Sequence, residues 1–201
     1  MLRRQYVVGA MLWIGCVGAA RAQVQPVEKP QDTRQRLHQM LMNMVGPVPL
    51  TTEGLAAGIG QELNSPREWG QGASGYATRF ANDMGYNAVR QGITFGMATL
   101  LHEDTRYLRS TEHGVIPRAA HAVGSVFNTR NENGENVFYA ANFVGIIGGA
   151  AISQAWAPPS WHDPATAGRK MTLSLLGSMG LNLAREFLLD LKDLTGHRHQ
   201  P

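Results

Sequence analysis

The segment from Leu100 to His113, LLHEDTRYLRSTEH, concentrates ionisable side chains in a chain that otherwise carries few charges. His102, Glu103 and Asp104 belong to the residue types that serve as general bases, nucleophiles and metal ligands. A periplasmic hydrolase, metal-assisted or metal-free, is therefore one hypothesis for this segment. His121, from the next predicted helix, completes the set of candidate catalytic residues.

The spacing within the segment argues against a metal site. A zinc-protease helix carries H-E-x-x-H because histidines four residues apart direct both ring nitrogens at one ion. The residue four positions after His102 is Arg106, a cation. Glycoside hydrolysis would instead use two carboxyls, such as Glu103 with Asp104 or Glu112, at a separation that a sequence does not fix. We predict no metal and no cofactor, and the hydrolase hypothesis stays open on these side chains alone.

A structural cluster of ion pairs explains the same segment with fewer assumptions. A long apolar helix is expected to end at Leu101, and its last carbonyl groups need hydrogen-bond donors. Arginine pairs well with carboxylates because its planar guanidinium donates two parallel hydrogen bonds. The predicted cluster consists of Glu103, Asp104, Arg106, Arg118, Glu186 and Asp190.

Residues 1–22 have the pattern of a secretory signal peptide. Arg3 and Arg4 precede an apolar stretch from Tyr6 to Ala19, and Ala20-Arg21-Ala22 has the A-x-A form of a cleavage site. The mature chain is then expected to begin at Gln23 and to reside in the periplasm or cell envelope.

Other export routes would use some of the same residues. Arg3-Arg4 also suits a twin-arginine signal, and Cys16 follows Trp13-Ile14-Gly15 in a weak likeness to a lipoprotein cleavage box. An uncleaved membrane anchor is a further alternative, although the apolar run is short for a span. Cys16 is the only cysteine, so cleavage leaves a mature chain without disulfides or cysteine-ligated metal.

Removal of the signal also balances the charge. The chain has 18 basic and 15 acidic side chains, and three of the basic ones are arginines of the signal. The mature chain therefore has 18 − 3 = 15 of each sign. Nucleic acid is not an expected partner, because no basic excess remains to neutralise phosphates. The partners that we expect are an envelope protein, a lipid or further copies of the chain.

A polar, proline-rich leader is predicted at 23–50, and it holds one short amphipathic helix. The apolar face of that helix is formed by Leu37, Met40, Leu41 and Met44. Glycine and two prolines at 46–49 are expected to interrupt the chain after it.

Helical periodicity dominates the remainder, so we predict a mostly α-helical, compact bundle at 51–195. Helices are expected at about 51–63, 76–101 and 171–194. Asn133-Gly134 between apolar pairs predicts a short β-hairpin near 126–138. A disordered tail is expected at 196–201.

The sharpest periodic signal lies in the uncharged stretch from Val137 to Ala157. Ala141, Gly145, Gly149 and Ser153 recur every four residues, so they share one helix face that another backbone can approach closely. This glycine zipper suits the buried central helix of a bundle, or a helix associated with lipid. The uncharged core between Phe138-Tyr139 and Trp156 would be about 24 Å long at ~1.5 Å per residue, which is short for a bilayer core of ~30 Å.

Over about Trp69 to Leu191 the chain resembles a group of exported proteins of soil bacteria that share HED-x-RY and a terminal E-F-x-x-D segment. The resemblance is carried by WGQGASGYATRF, LLHEDTRYLR, RAAHA, NFVGIIGGAAISQAW and NLAREFLLDL. It implies an exported helical domain. It implies no activity, cofactor or site residue, because none is established for that group.

Together these features predict an exported cell-envelope protein with a non-enzymatic structural, partner-binding or membrane-associated role. The alternative is a periplasmic hydrolase centred on the HED segment.

Overall fold

The computed structural model describes residues 30–196, with side chains as far as 188. The chain runs α1 (Thr33–Val45), α2 (Pro47–Glu62), α3 (Gly72–Leu101), α4 (Val115–Gly124), β1 (Asn128–Arg130), β2 (Asn136–Phe138), α5 (Ala140–Ser153) and α6 (Pro164–Gly196). Strands β1 and β2 pair in antiparallel register. The predicted mostly α-helical fold with a short hairpin at 126–138 is confirmed. The signal peptide predicted at 1–22 and the tail beyond 196 lie outside the described residues.

Helix α3 is the centre of the bundle, because α1, α2 and α5 all pack against it. Helix α6 packs on α4 and α5 instead. Two polar contacts join α6 to α3: the hydroxyls of Tyr86 and Ser174 lie 2.6 Å apart, and Arg90 Nη2 donates to Ser178 Oγ at 3.0 Å. Both contacts join residues 88 positions apart, so α3 and α6 run parallel.

Helix α5 presents its small-residue face to α3. The four residues of this face are all buried: Ala141, Gly145, Gly149 and Ser153. A Cβ on Gly145 would overlap the Thr94 hydroxyl, and a Cβ on Gly149 would lie 3.1 Å from Arg90 Cβ. The space that a larger side chain would need is therefore occupied by α3, which explains why this face carries glycine at two positions.

The start of the bundle differs from the sequence-based expectation. Helix α2 begins at Pro47, so the segment 46–49 starts a helix where we expected an interruption. Proline suits the first turn because the N–H groups there have no intrahelical acceptor. The domain boundary expected between residues 50 and 51 consequently falls inside α2.

The predicted apolar face of helix α1 is divided: its two leucines are exposed, while Met40 and Met44 are partly buried. Leu37 and Leu41 are 42% and 46% exposed, whereas Arg36 is buried. Arg36 Nε donates to the backbone carbonyl of Glu103 at 3.2 Å. This hydrogen bond to the segment after α3 fixes the rotation of α1 and turns the two leucines towards the outside.

Two helices begin earlier than expected. Helix α3 starts at Gly72 rather than 76, and α6 at Pro164 rather than 171. At the start of α6, the Asp163 carboxylate accepts the backbone N–H of Thr166 at 2.9 Å, which satisfies a donor that the first helical turn leaves free.

The interior of the described chain holds few large apolar side chains. Its buried apolar residues are Ala57, Ala98, Ala122, Val126, Ala141, Ile146 and Ala150. Many leucines, isoleucines and valines are exposed instead, on every helix. No helix within residues 30–196 combines the length and apolar character needed to cross a membrane.

Candidate functional site

The HED segment is a junction between α3, α5 and the hairpin. His102 adopts a left-handed conformation, φ 55°, at the end of α3, and its Nδ1 lies 2.9 Å from the exposed carboxylate of Glu132. The buried carboxylate of Glu103 accepts the backbone N–H groups of Ala140 and Ala141 at 3.1 and 2.9 Å. Since these are the first N–H groups of α5, the negative charge lies at the positive end of the helix dipole.

Asp104 fixes the chain that follows. Its carboxylate accepts the backbone N–H of Arg106 at 2.8 Å and pairs with the guanidinium of the same residue, with Nε 3.0 Å from Oδ1. The Asp104 backbone N–H donates to the Arg130 carbonyl at 2.8 Å, and its carbonyl accepts the Thr129 hydroxyl at 2.6 Å. These contacts attach the segment to β1.

A second polar cluster centres on Glu186 of α6, which is fully buried. Its carboxylate accepts the Tyr107 hydroxyl at 2.6 Å, Arg118 Nε at 2.7 Å and the backbone N–H of Ser110 at 3.2 Å. Arg109 and Arg118 also donate to its backbone carbonyl, both at 2.8 Å. Burial would raise the pKa of Glu186, but the hydrogen bonds from Tyr107 and Arg118 outweigh it and hold the pKa below its usual value.

The residues predicted as one ion-pair cluster thus contribute to two. Arg106 pairs with Asp104, and Arg118 pairs with Glu186. The side chain of Asp190 lies outside the described residues. This division separates the HED junction from the contacts that hold α6.

His121 lies beside the second cluster. Its Nε2 is 2.9 Å from the Leu108 carbonyl, and its ring centre is 6.2 Å from that of Tyr107. In the described part of the chain no hydrogen bond joins His121 to Glu103 or Asp104. Nor does that part contain a group of three or more histidine, cysteine or acidic side chains that could hold a metal ion.

A cavity of about 680 Å³ lies between α2, α3 and α6 and is partly open to solvent. Helix α3 lines it with Arg79, Asp83, Tyr86 and Arg90, which follow one another at intervals of four, three and four residues. That spacing places all four on one face of the helix. Glu53 lines the cavity from α2 and Arg185 from α6.

Arg90 is a buried cation of the cavity. Its Nη2 donates to Asn142 Oδ1 at 3.1 Å and to Ser178 Oγ at 3.0 Å. Its Nε is buried and has no acceptor among the described residues. Burial lowers the pKa of the guanidinium, but arginine remains protonated at neutral pH.

Arg185 and Tyr139 line the same cavity as Arg90. Neither side chain makes a hydrogen bond with another side chain or backbone group described between residues 30 and 188. Burial lowers the pKa of Arg185, while Tyr107 and Tyr139 oppose the shift. Burial also raises the pKa of Tyr139, so its hydroxyl stays protonated and can donate a hydrogen bond.

Two carboxyl groups share this cavity. Burial raises the pKa of Glu53 to about 7, with a further rise from the charge of Asp83 and an opposing effect from Arg90. Burial likewise raises the pKa of Asp83 to about 6, against the Asn82 hydrogen bond and the charge of Lys170. Both groups therefore change protonation state close to neutral pH.

Aromatic rings border the cavity near Lys170. The rings of Trp69 and Trp161 meet edge to face, with centres 5.1 Å apart. Lys170 Nζ lies 5.1 Å from the centre of the Trp161 ring and 5.4 Å from that of Tyr86, distances at which a cation is attracted to an aromatic face. Burial lowers the pKa of Lys170, and Asp83 opposes this shift.

None of Glu53, Asp83, Arg90 and Arg185 was predicted from the sequence as a site residue. A usable signal was present in α3, where charged and aromatic residues share one face of a helix otherwise rich in glycine and alanine. The sequence did not predict that these residues line one cavity, because they come from three helices whose rotation about their axes is set by packing.

Comparison with known proteins identifies no relative: no family model, no curated protein and no solved structure matches this chain.

Proposed function

We propose that this is an exported cell-envelope protein that binds a small molecule in the cavity between α2, α3 and α6, without transforming it. The observation that carries the proposal is the buried guanidinium of Arg90, whose Nε lacks an acceptor among the described residues. A buried donor without a partner costs about 1–3 kcal/mol. A ligand that accepts hydrogen bonds from this guanidinium offsets that cost.

The dimensions and chemistry of the cavity support binding. Pockets for small molecules typically measure roughly 300–1,000 Å³ and combine apolar walls with a few polar groups. This cavity measures about 680 Å³. Val48, Ile59 and Leu173 supply apolar wall, while Arg90 and Arg185 supply polar groups.

The contacts of the HED segment support a non-enzymatic role for it. Both carboxylate oxygens of Glu103 accept N–H groups of α5, and the carboxylate of Asp104 is engaged by Arg106. A general base needs an oxygen within hydrogen-bond reach of the substrate, and these oxygens are already used.

Export is part of the proposal and rests on residues 1–22, where a positive start, an apolar stretch and an A-x-A site follow in order.

Two glycines of α6 provide a matched test of binding. A Cβ at Gly177 or at Gly180 meets nothing within 4 Å, but only Gly177 lines the cavity. Gly177→Leu therefore fills cavity space, while Gly180→Leu makes the same chemical change on the same helix outside it.

The measurement is the Tm of the purified full chain against a panel of defined carboxylates, phosphates, sugars, amino acids and fatty acids. We expect at least one compound to raise the Tm of the wild type and of Gly180→Leu but not that of Gly177→Leu. If every compound leaves the three proteins unchanged, or shifts them equally, the cavity is not a binding site.

A hydrolase remains the second candidate, now centred on the cavity rather than on the HED segment. Glu53 and Asp83 favour it, because two carboxyls that titrate near neutral pH can act as acid and base. Chromatographic analysis of the panel compounds after incubation tests this function. If the wild type forms product and Glu53→Gln and Asp83→Asn do not, while both variants keep the ligand-induced Tm shift, the protein is an enzyme rather than a binding protein.

A further inference from the structure

The cavity has an excess of basic side chains. Among the described residues, its basic lining consists of Arg79, Arg90, Arg106, Arg169, Lys170 and Arg185. Only two acidic side chains, Glu53 and Asp83, line it. Arg79 already donates to three backbone carbonyls and to Gln61, and Arg106 pairs with Asp104. The other four cations still outnumber the two carboxyls, so the cavity attracts anions.

Three of the groups that line this cavity have hydrogen-bond donors to spare. Tyr139 directly precedes α5, and Arg90 Nη2 donates to Asn142 Oδ1 in the first turn of that helix at 3.1 Å. Arg185 lines the same cavity from α6. Arg90 Nε is buried without an acceptor in the described part of the chain. The Arg185 guanidinium and the Tyr139 hydroxyl donate no hydrogen bond to the described residues. Two guanidinium groups and a phenol form a set of donors suited to a carboxylate or phosphate oxygen.

The rim of the same cavity is apolar. Ile59 of α2 and Leu173 of α6 are each 61% exposed, and both line the cavity. Val48, 44% exposed, adds to this rim. Removing apolar surface from contact with water is favourable. A purely polar ligand would leave the rim exposed, whereas a ligand with an apolar chain would cover it.

From this arrangement we infer that the ligand is an anionic amphiphile with a single apolar chain. Its carboxylate binds between Arg90 and Arg185 with a hydrogen bond from Tyr139, and its chain packs against Val48, Ile59 and Leu173. This inference rests on the proposed function and names the chemical class of its ligand.

Arg185 is the residue on which to test the head-group site. Its side chain makes no hydrogen bond or ion pair with the described residues, so Arg185→Gln removes the charge without breaking a contact seen in the fold. Arg90 is less suitable, because it also donates to Asn142 and Ser178. Arg34→Gln, at an exposed position on α1, is the matched control for the loss of one positive charge.

The probe is decanoate, measured by titration calorimetry on the full chain beside 1-decanol and succinate. We expect decanoate to bind the wild type and Arg34→Gln alike, and Arg185→Gln at least about tenfold more weakly, as expected for a hydrogen bond to a charged group. Decanol, which has the chain without the charge, and succinate, which has the charge without the chain, should each bind at least about tenfold more weakly than decanoate.

Equal affinity of Arg185→Gln and Arg34→Gln for decanoate would overturn the head-group site. If decanol binds as tightly as decanoate, the ligand need not be an anion. If succinate binds as tightly as decanoate, the ligand needs no apolar chain. If Arg185-dependent binding is seen only with phosphatidylglycerol vesicles, the bound anion is the head group of a membrane lipid. The inference of a free single-chain ligand would then be wrong. In each case a panel compound with a Gly177-sensitive Tm shift would leave the proposed function standing.

Discussion

The carboxylate of Glu103 lies on the N-terminus of α5, where it accepts the backbone N–H of Ala141 at 2.9 Å. A residue at the end of one helix thereby caps the start of another, 38 positions later in the chain. We expect Glu103→Ala to lower the free energy of unfolding by about 1–3 kcal/mol, because two N–H groups lose their acceptor. Chemical denaturation measures the change. Glu132→Ala, at the exposed acid beside His102, should have little effect, and equal losses would contradict the capping role.

Glu186 should be a large single contributor to stability. Glu186→Gln removes the charge of a buried carboxylate that pairs with Arg118, and breaking a buried ion pair typically costs about 3–5 kcal/mol. The change is measured by urea unfolding at neutral pH, with Glu112→Gln in the exposed loop nearby as control. A loss no greater than that of the control would show that the cluster does not hold α6.

The same carboxylate predicts a pH dependence at the acid end. Its folded-state pKa is lowered below the usual 4.5, so its stabilising contribution is present above the unfolded pKa and is lost as pH falls through the folded pKa. The wild type should therefore lose stability below about pH 4.5, and Glu186→Gln should lose less over the same interval. Parallel curves for the two proteins would be evidence against this linkage.

The two carboxyl groups of the cavity predict a pH dependence of stability with the opposite sign to that of Glu186. The folded-state pKa values of Glu53 and Asp83 are raised from 4.5 and 3.8 to about 7 and about 6. The folded protein therefore holds protons that the unfolded chain releases, and stability falls as pH rises from about 4 to about 7. Glu53→Gln and Asp83→Asn should raise the Tm at pH 8 and leave it nearly unchanged at pH 4. A Tm at pH 8 that drops in both variants would show that these acids are ionised and paired instead.

The contact between α3 and α5 separates two glycines that look alike in sequence. Gly145→Ala places a methyl group on the Thr94 hydroxyl, and overpacking of this kind costs about 1–3 kcal/mol. Gly92→Ala adds the same methyl group to α3 where nothing lies within 4 Å, so the better helix propensity of alanine should stabilise by about 0.5–1 kcal/mol. Thermal unfolding of the pair gives the comparison, and equal signs would contradict the packing described.

Export predicts a defined mature terminus. We expect fractionation of the native host to place the protein in the periplasm or cell envelope, with Gln23 as its first residue by N-terminal sequencing and mass. An unprocessed Met1 in the cytoplasmic fraction would contradict the signal peptide, and a lipid mass increment on Cys16 would select the lipoprotein route.

The helices of this fold could be predicted from local sequence patterns, but the residues at which they begin and end could be predicted less well. The periodicity of small residues from Ala141 to Ser153 identified α5, and Asn133-Gly134 identified the hairpin. The interruption predicted at residues 46–49 was wrong because a proline that ends one helix is equally suited to begin the next. The rotation of α1 was not predictable either, since it depends on the hydrogen bond from Arg36 to the Glu103 carbonyl.

The candidate site was less accessible to sequence reasoning than the fold. The HED segment was a candidate site because its charges are adjacent in sequence. In the structure its carboxylates accept hydrogen bonds from the backbone and from Arg106. Glu53 and Arg185 are far apart in the chain and share a cavity only because α2 and α6 both flank α3. Such long-range placement is a product of tertiary packing, which residue spacing does not encode.

The alanine-rich interior has a calorimetric consequence. Unfolding raises the heat capacity chiefly by exposing apolar surface, and typical domains gain about 12–15 cal/mol/K per residue. Here the buried apolar residues are mostly alanines, and many large aliphatic side chains already contact solvent in the folded chain. The heat-capacity increment should therefore fall below that range, and the stability of the protein should vary only gently with temperature until the melting transition begins.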